Sequence, residues 1–370
     1  MGIASQLDHD LWYKQRRSMD PAFSSMNLRS FLKPMNEFAD RIMSKINEAV
    51  ENNSVANMTE LINTYTLDVL AKVAYDIDSD TIENKSDLAK ALTTFMGALI
   101  HLREPFFQYK PSNKAYVESV REACRTLRKT GEDWIRRRRA AIQNHESVPK
   151  DILTQIMKNA EQEEDEELMV DNFVTFFIGG QETTAKQLAF CVRELGRYPE
   201  ILEKLRKEMD EVLGMKQEIV GDDLGRLVYL TQVLDEVLRL YPIGPLIPRW
   251  VNEDLVINGI KIPGGVNVVF SPYVTGRMAQ FFKDPLVFDP DRFHPDAPKP
   301  YYCYYPFSLG PRSCIGQQLS QMEAKVLMAK LIQRFDFSLT PGQQFGILDA
   351  GTITPQNDVT CFVKYRDMVE

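Results

Sequence analysis

The chain has 370 residues, 44% of them apolar and 26% charged, with a formal net charge of -8; this supplies a sizeable core and disfavours nucleic acid as a primary partner. Five cysteines (Cys124, Cys191, Cys303, Cys314, Cys361) and four histidines (His9, His101, His145, His294) are scattered without close pairs, which argues against a disulfide framework and a structural zinc site. No run reaches the eighteen or so apolar residues of a membrane span, and the start "MGIASQLDHDLWYKQRR" has neither the core nor the cleavage site of a secretory signal.

From the amino end, "RSFLKPMNEFADRIMSKINEAVEN" (29–52) and "MTELINTYTLDVLAKVAYDI" (58–77) place apolar residues three and four apart and predict amphipathic helices. "NKAYVESVREACRTLRKTGEDWIRRRRAAIQNH" (113–145) repeats the pattern with a charged outer face. Its block Arg136 to Arg139 reads either as a patch for an anionic membrane or partner or as a solvated face, and the acidic run "EQEEDEE" (161–167) as a solvated loop between helices. A longer helix is predicted over Leu168 to Tyr198, apolar on nearly every side in its first half and therefore buried all round. "ILEKLRKEMDEVLG" (201–214) stops at Gly214, and "TQVLDEVLRLYP" (231–242) stops against Pro242. Beyond Pro242, "DLVINGIKIPGGVNVVF" reads as a small β element with a two-residue hairpin turn at Asn258-Gly259. Loop chemistry from Asp284 to Gly310 leads to a last helix, Ile315 to Arg334, and to strand-like pieces at 335–339 and 359–365.

Three places carry chemistry. In the long helix, Gly179 and Gly180 stand side by side, each costing about 1 kcal/mol relative to Ala, and the polar cluster Gln181, Glu182, Thr183, Thr184 follows. Either the glycines allow a close helix crossing with the threonines bonding back to the backbone, or the helix opens for a flat ligand. In the second case an alcohol and an acid face that ligand, a pairing suited to proton delivery in a dry site. Glu236 and Arg239 lie one helical turn apart, which alone makes an ordinary surface bridge; Arg292, in the aromatic-flanked "FDPDRF", could dock on Glu236 as a third member.

Near the carboxyl end, Phe307, Gly310, Arg312, Cys314 and Gly316 spell F-x-x-G-x-R-x-C-x-G directly before a helix. Free N–H groups and the helix dipole stabilise a thiolate there, the glycines permit a close approach of a flat group, and Arg312 adds a cation for a carboxylate. The bland alternative is an inert buried cysteine. A nucleophile would need a base, and the nearest histidine, His294, is twenty positions away. A thiolate metal ligand fits better, and a lone axial thiolate on haem iron is the recognised way to favour O–O cleavage.

These words resemble the cytochrome P450 family, the haem-thiolate monooxygenases, over essentially the whole chain. The resemblance implies a mainly α fold with small β-sheets in one domain over residues 1–370, lacking the family's N-terminal anchor, first sheet strands and B–C loop region. It makes Cys314 the axial ligand of haem iron, in a loop shaped by Phe307, Gly310 and Gly316. "GGQETT" makes Glu182 and Thr183 the acid and alcohol of oxygen activation, and Glu236, Arg239 and Arg292 become a structural triad. "WYKQR" matches the W-x-x-x-R of the haem-facing helix, so Trp12 and Arg16 are expected on the propionates, with Arg249 and Arg312. Gly179, and Thr352 in "GTITP", are expected on the substrate wall.

Within the family, "LWYKQRR", "DNFVTFFIGGQETT", "LDEVLRLYP" and "PFSLGPRSCIGQQLSQME" resemble the cholesterol 24-hydroxylase group, although Pro311 and Gln181 replace histidines of that group. The implied activity is side-chain hydroxylation of a sterol with O2 and with electrons from NADPH through a reductase. That partner would dock near Lys14, Arg16 and Arg17, at the cytosolic face of the endoplasmic reticulum membrane. The alternatives are a fatty-acid or xenobiotic monooxygenase, or a non-catalytic haem-binding product.

Overall fold

The structure, a computed structural model, describes residues 2–77, 87–159, 166–298, 300–349 and 351–366. Among them the chain forms α1 (His9–Met19), α2 (Ser25–Arg29), α3 (Leu32–Glu51), β1 (Ala56–Asn57), α4 (Met58–Tyr75), α5 (Asp87–Ala98), α6 (Lys114–Gln143) and α7 (Ile152–Asn159). There follow α8 (Glu166–Arg197), α9 (Pro199–Val212), α10 (Gly221–Arg226), α11 (Val228–Leu240), β2 (Ile247–Val251), β3 (Leu255–Ile257), β4 (Ile260–Ile262) and β5 (Val266–Phe270). The chain closes with α12 (Pro272–Thr275), α13 (Gln317–Arg334), β6 (Phe335–Leu339), β7 (Ile347–Asp349), β8 (Ile353–Pro355) and β9 (Thr360–Tyr365).

Local chemistry sets the helix ends. Asn57 caps α4 by accepting the N–H of Glu60 at 3.1 Å, and the helix stops at Asp76 in the left-handed region. Pro199 opens α9, and Gly214, at φ +52, follows its end. The amino end of α11 is covered from outside: the Glu208 carboxylate accepts the N–H groups of Tyr229 (2.6 Å) and Leu230 (2.9 Å).

The long helix α8 runs through the core, but its burial is distributed otherwise than expected. Thr184 to Leu195 are buried except Lys186, while Val174, Thr175, Phe176 and Ile178 are half-buried and Gly179 is exposed. The apolar first half is therefore only partly enclosed by the core. The close-crossing reading of the glycine pair holds at Gly180, with Thr183 and Thr184 bonding back to the backbone, and α8 runs unbroken through both glycines. A Cβ at Gly180 would come 3.0 Å from Leu70 of α4, a close crossing, whereas a Cβ at Gly179 would meet nothing within 4 Å.

Residues 161–165 of the acidic run lie outside the described residues, and Glu166 and Glu167 start α8. Three arginines of the block, Arg136, Arg138 and Arg139, have partners on neighbouring elements, while Arg137 is exposed. Arg138 binds Asp151 (2.5 Å) and the carbonyl of Tyr75 (3.1 Å), stapling α6 to the start of α7 and the end of α4, while Arg136 and Arg139 pair with Glu166.

Four small antiparallel sheets flank the helices: β1-β9-β6, β2-β5, β3-β4 and β7-β8. The β3-β4 turn is the expected one, with Asn258 at φ +50 and Gly259 at φ +79. The two carboxyl-terminal strands pair directly, Phe335 opposite Tyr365.

Inside α13, Glu323 is 3% exposed, with one carboxylate oxygen unpartnered among the described residues. Burial pushes its carboxyl well above the usual carboxylate range. The folded chain therefore keeps a proton that the unfolded chain releases, so stability falls as pH rises from the ordinary carboxylate value through the folded one. Glu323→Gln removes that slope. Denaturant midpoints measured from mildly acidic to alkaline pH should show the variant gaining on the parent as pH rises.

Candidate active site

Cys314 stands on the loop ahead of α13. Its N–H donates to the carbonyl of Phe307 at 2.9 Å, and Gly310 takes φ +77, a turn that glycine makes without a Cβ clash. Gly316 caps α13, and a Cβ on it would sit 3.9 Å from the Cys314 sulfur. The thiol is open to solvent yet hemmed by protein on most sides. Burial pushes its pKa up; the N–H groups of Gly316 and Gln317 and the guanidinium of Arg16 pull it back. A thiol so placed ionises readily once a metal cation is presented to it.

Three arginines surround this loop. Arg16 donates to the carbonyl of Ser313 (2.7 Å) and to Asp20 (2.6 Å), so part of its charge is already paired. Arg312 donates to the carbonyl of Gln6 (2.7 Å) and lies 4.4 Å over the ring of Trp12, which is 3% exposed. Arg249, on β2, donates to Ser308 Oγ (2.7 Å) and to its neighbour's carbonyl. Burial first, and the charge of Arg249 second, lower the pKa of Arg312. Arg249 and Arg312 are thus near enough to repel, and among the described residues both bind neutral acceptors alone. Two such cations suit an anionic guest.

Across from the thiol loop runs α8, tied to the first turn of α13 by Thr184 Oγ1 and Ser320 Oγ, 3.0 Å apart. Thr183 donates its hydroxyl to the carbonyl of Gly179 at 2.6 Å, on the open face of the helix. Glu182, one position earlier and so about 100° round the helix, is held elsewhere. Lys186 lies 2.6 Å from one of its oxygens and also donates to Thr352 Oγ1 at 2.6 Å; Thr352 Oγ1 lies 3.4 Å from the other oxygen. The structure brings Glu182 and Thr352 together and points Glu182 away from Thr183. Sequence reasoning missed Lys186, although its i,i+4 spacing from Glu182 was on view.

Glu236 and Arg239 do not form a surface bridge, because α11 is buried on that face. Both are fully buried and paired through two bonds of 2.7 Å. Arg292, on a 3-10 turn at Pro290–Phe293, reaches Glu236 at 3.4 Å, and the N–H of Asp289 donates to it at 2.8 Å. The three expected members of the triad meet.

The chain is similar to known proteins over most of its length. Cytochrome P450 4d2 of Drosophila melanogaster is 28% identical over 351 residues, 88% of this chain and 70% of that protein. Cytochrome P450 4F2 of Homo sapiens is 31% identical over 350 residues, 88% of this chain and 67% of that protein. In three dimensions the chain matches the crystal structure of the cytochrome P450DA heme domain with a TM-score of 0.89 at 24% identity, covering 99% of this chain and 80% of that one. A sequence model described as cytochrome P450 matches residues 2–362. A match of that extent leaves eight residues at the carboxyl end and one at the start uncovered, and the chain belongs to the cytochrome P450 family of haem-thiolate monooxygenases.

Proposed function

We propose that this monooxygenase hydroxylates a sterol, or a lipid of similar bulk, on its side chain, with Cys314 as the axial ligand of the haem. The observation that carries the substrate reading is the open face of α8 at Gly179: an exposed glycine in mid-helix, flanked by half-buried Phe176 and Ile178. That face admits a wide apolar body, and the four sequence words like those of the cholesterol 24-hydroxylases support the same class.

The residues present fit a haem. A thiol at a helix start, whose burial a metal cation would offset, stands on a loop bordered by two arginines without carboxylate partners among the described residues. Cys314 would hold the iron. Arg249 and Arg312 would hold the two carboxylates, with Trp12 beneath Arg312, and Arg16 would steady the thiolate charge. When bound, haem supplies the activation of O2.

The chain's own residues supply protons and order. Thr183 keeps its hydroxyl at the open face of α8 by donating to the Gly179 carbonyl, and Glu182, the preceding residue, would supply protons from its place beside Lys186. Gly310 and Gly316 let a flat group approach the sulfur, and the Glu236, Arg239 and Arg292 triad fixes the loops behind it. Electrons come from NADPH through a reductase, which the exposed Lys14 and Arg17 of α1 would meet. We further propose that the protein works, in one domain, at the cytosolic face of the endoplasmic reticulum membrane; among the described residues no helix is long and apolar enough to cross a membrane.

The test is product analysis of the reconstituted enzyme with sterol and fatty-acid panels. Side-chain hydroxylated sterol is the expected product. Fatty-acid oxidation with no sterol turnover overturns the substrate reading.

A further inference from the structure

Ser308, on the loop that leads to Cys314, bends where serine ordinarily does not. It takes φ +63, in the left-handed region, which is strained for a residue with a Cβ and persists only where the surroundings fix it. Here they do. The Ser308 N–H donates to the carbonyl of Tyr305 at 3.0 Å, and the carbonyl of Phe307, just before it, accepts the Cys314 N–H at 2.9 Å. Tyr305 Oη in turn lies 2.8 Å from Thr275 Oγ1, at the end of α12. What this strained backbone presents is a hydroxyl: Ser308 Oγ accepts from the guanidinium of Arg249, on β2, at 2.7 Å.

Arg249 needs such a hold. Its other bond among the described residues goes to the carbonyl of its own neighbour, Pro248, at 2.9 Å, and Arg312 is near enough for the two charges to repel. A carboxylate placed there would hold the guanidinium but cancel the charge that an anionic guest requires. A hydroxyl holds it and leaves the charge in place. We propose that Ser308 is a positioning residue for haem binding: its hydroxyl, aimed by the left-handed turn, sets Arg249 beside Arg312 before the haem carboxylates arrive. One loop then places both the thiol and, 59 positions from Ser308 in the chain, the cation on β2. Ordering the cation in advance removes part of the entropy loss on binding.

The proposal rests on the reading of Arg249 as a partner of a haem carboxylate, so the experiment separates the two. Ser308→Gly relieves the backbone strain and removes the hydroxyl, and these changes act in opposite directions. The haem-free variant should unfold at or above the parent's denaturant midpoint. The haem-loaded variant should nevertheless lose haem to an excess of apomyoglobin about tenfold faster, for one hydrogen bond to a charged group. Its reduction potential should fall, as in Arg249→Leu, because a cation held less firmly near the haem favours the reduced state less. Ser308→Asn, which tolerates the left-handed region and offers a side-chain oxygen, should recover most of both losses. In an Arg249→Leu background, Ser308→Gly should add nothing to either.

Haem loss and potential at the parent's values in Ser308→Gly, with both changed in Arg249→Leu, overturn the positioning role and leave Arg249 as the carboxylate partner. A haem-free Ser308→Gly chain that unfolds well before the parent, or a further loss in the Arg249→Leu background, also overturns it, since Ser308 would then act on the loop and not through Arg249. Arg249→Leu with the parent's haem loss and potential overturns the carboxylate reading itself, and the role of Ser308 with it.

Discussion

Cys314→Ala is expected to abolish the red-shifted Soret band in the carbon-monoxide difference spectrum of the reduced, haem-loaded protein. The sulfur is the sole thiolate candidate that the motif offers, and a methyl group cannot ligate iron. Folding should survive, because the loop is closed by backbone groups: the Cys314 N–H to Phe307 carbonyl bond and the Gly310 turn do not involve the sulfur. Stability of the haem-free chain should stay within about 0.5 kcal/mol of the parent, as for other substitutions at solvent-reached positions. Spectrum and denaturation curve together separate lost ligation from lost structure. A red-shifted band that persists in the variant overturns the assignment of the ligand.

The same thiol carries a dependence on pH. Its proton must leave before it binds metal, and burial raises its pKa. Haem retention should therefore weaken as pH falls, since more protons must be displaced. Arg16→Gln removes one of the influences that lower the thiol pKa, so it should move that weakening to higher pH.

Much of this site could be read from the sequence because its spacing is short and local. Cys314 with its glycines, and Asn258-Gly259 in its hairpin, are fixed by backbone demands within a few residues. The helices α3, α4, α6 and α11 announce themselves by period, and they appear within a few residues of the expected spans. What could not be read depends on elements far apart in the chain. The two-residue strand β1 has no period of its own and exists because β9 pairs with it, Ala56 opposite Cys361. The i,i+4 spacing of Glu182 and Lys186 recurs in the more open pairs Lys33 with Glu37 and Lys72 with Asp76. Only the arrival of Thr352, 166 positions beyond Lys186, makes the first pair distinctive. Burial is equally non-local. The E-x-x-R spacing of Glu236 and Arg239 suits a surface bridge, and the loops carrying Gly276, Pro285 and Val287 turn it into an enclosed one.

That enclosure gives the largest expected loss of stability. Arg239 is fully buried and bonds the Glu236 carboxylate twice and the carbonyls of Gly276 (2.5 Å), Pro285 (2.7 Å) and Val287 (3.1 Å). Glu236→Ala strands this guanidinium and that of Arg292 without their common anion, and leaves the Asp289 N–H without its acceptor. Breaking a buried pair from one side costs about 3–5 kcal/mol, a large part of a typical domain's stability. Arg239→Lys keeps a charge but loses the two-pronged bond and most of the carbonyl contacts, so it should fall nearly as far. Arg292→Lys should cost less, because its contact with Glu236 is longer, at 3.4 Å, and Glu236 keeps Arg239. Denaturant unfolding of the haem-free variants should thus rank Glu236→Ala lowest, Arg239→Lys next and Arg292→Lys nearest the parent. If Glu236→Ala unfolds at the parent's midpoint, the triad does not hold the loops between α11 and the thiol; the loss should instead be accompanied by weaker haem retention, because residues 276 to 292 lead directly into the segment that carries Cys314.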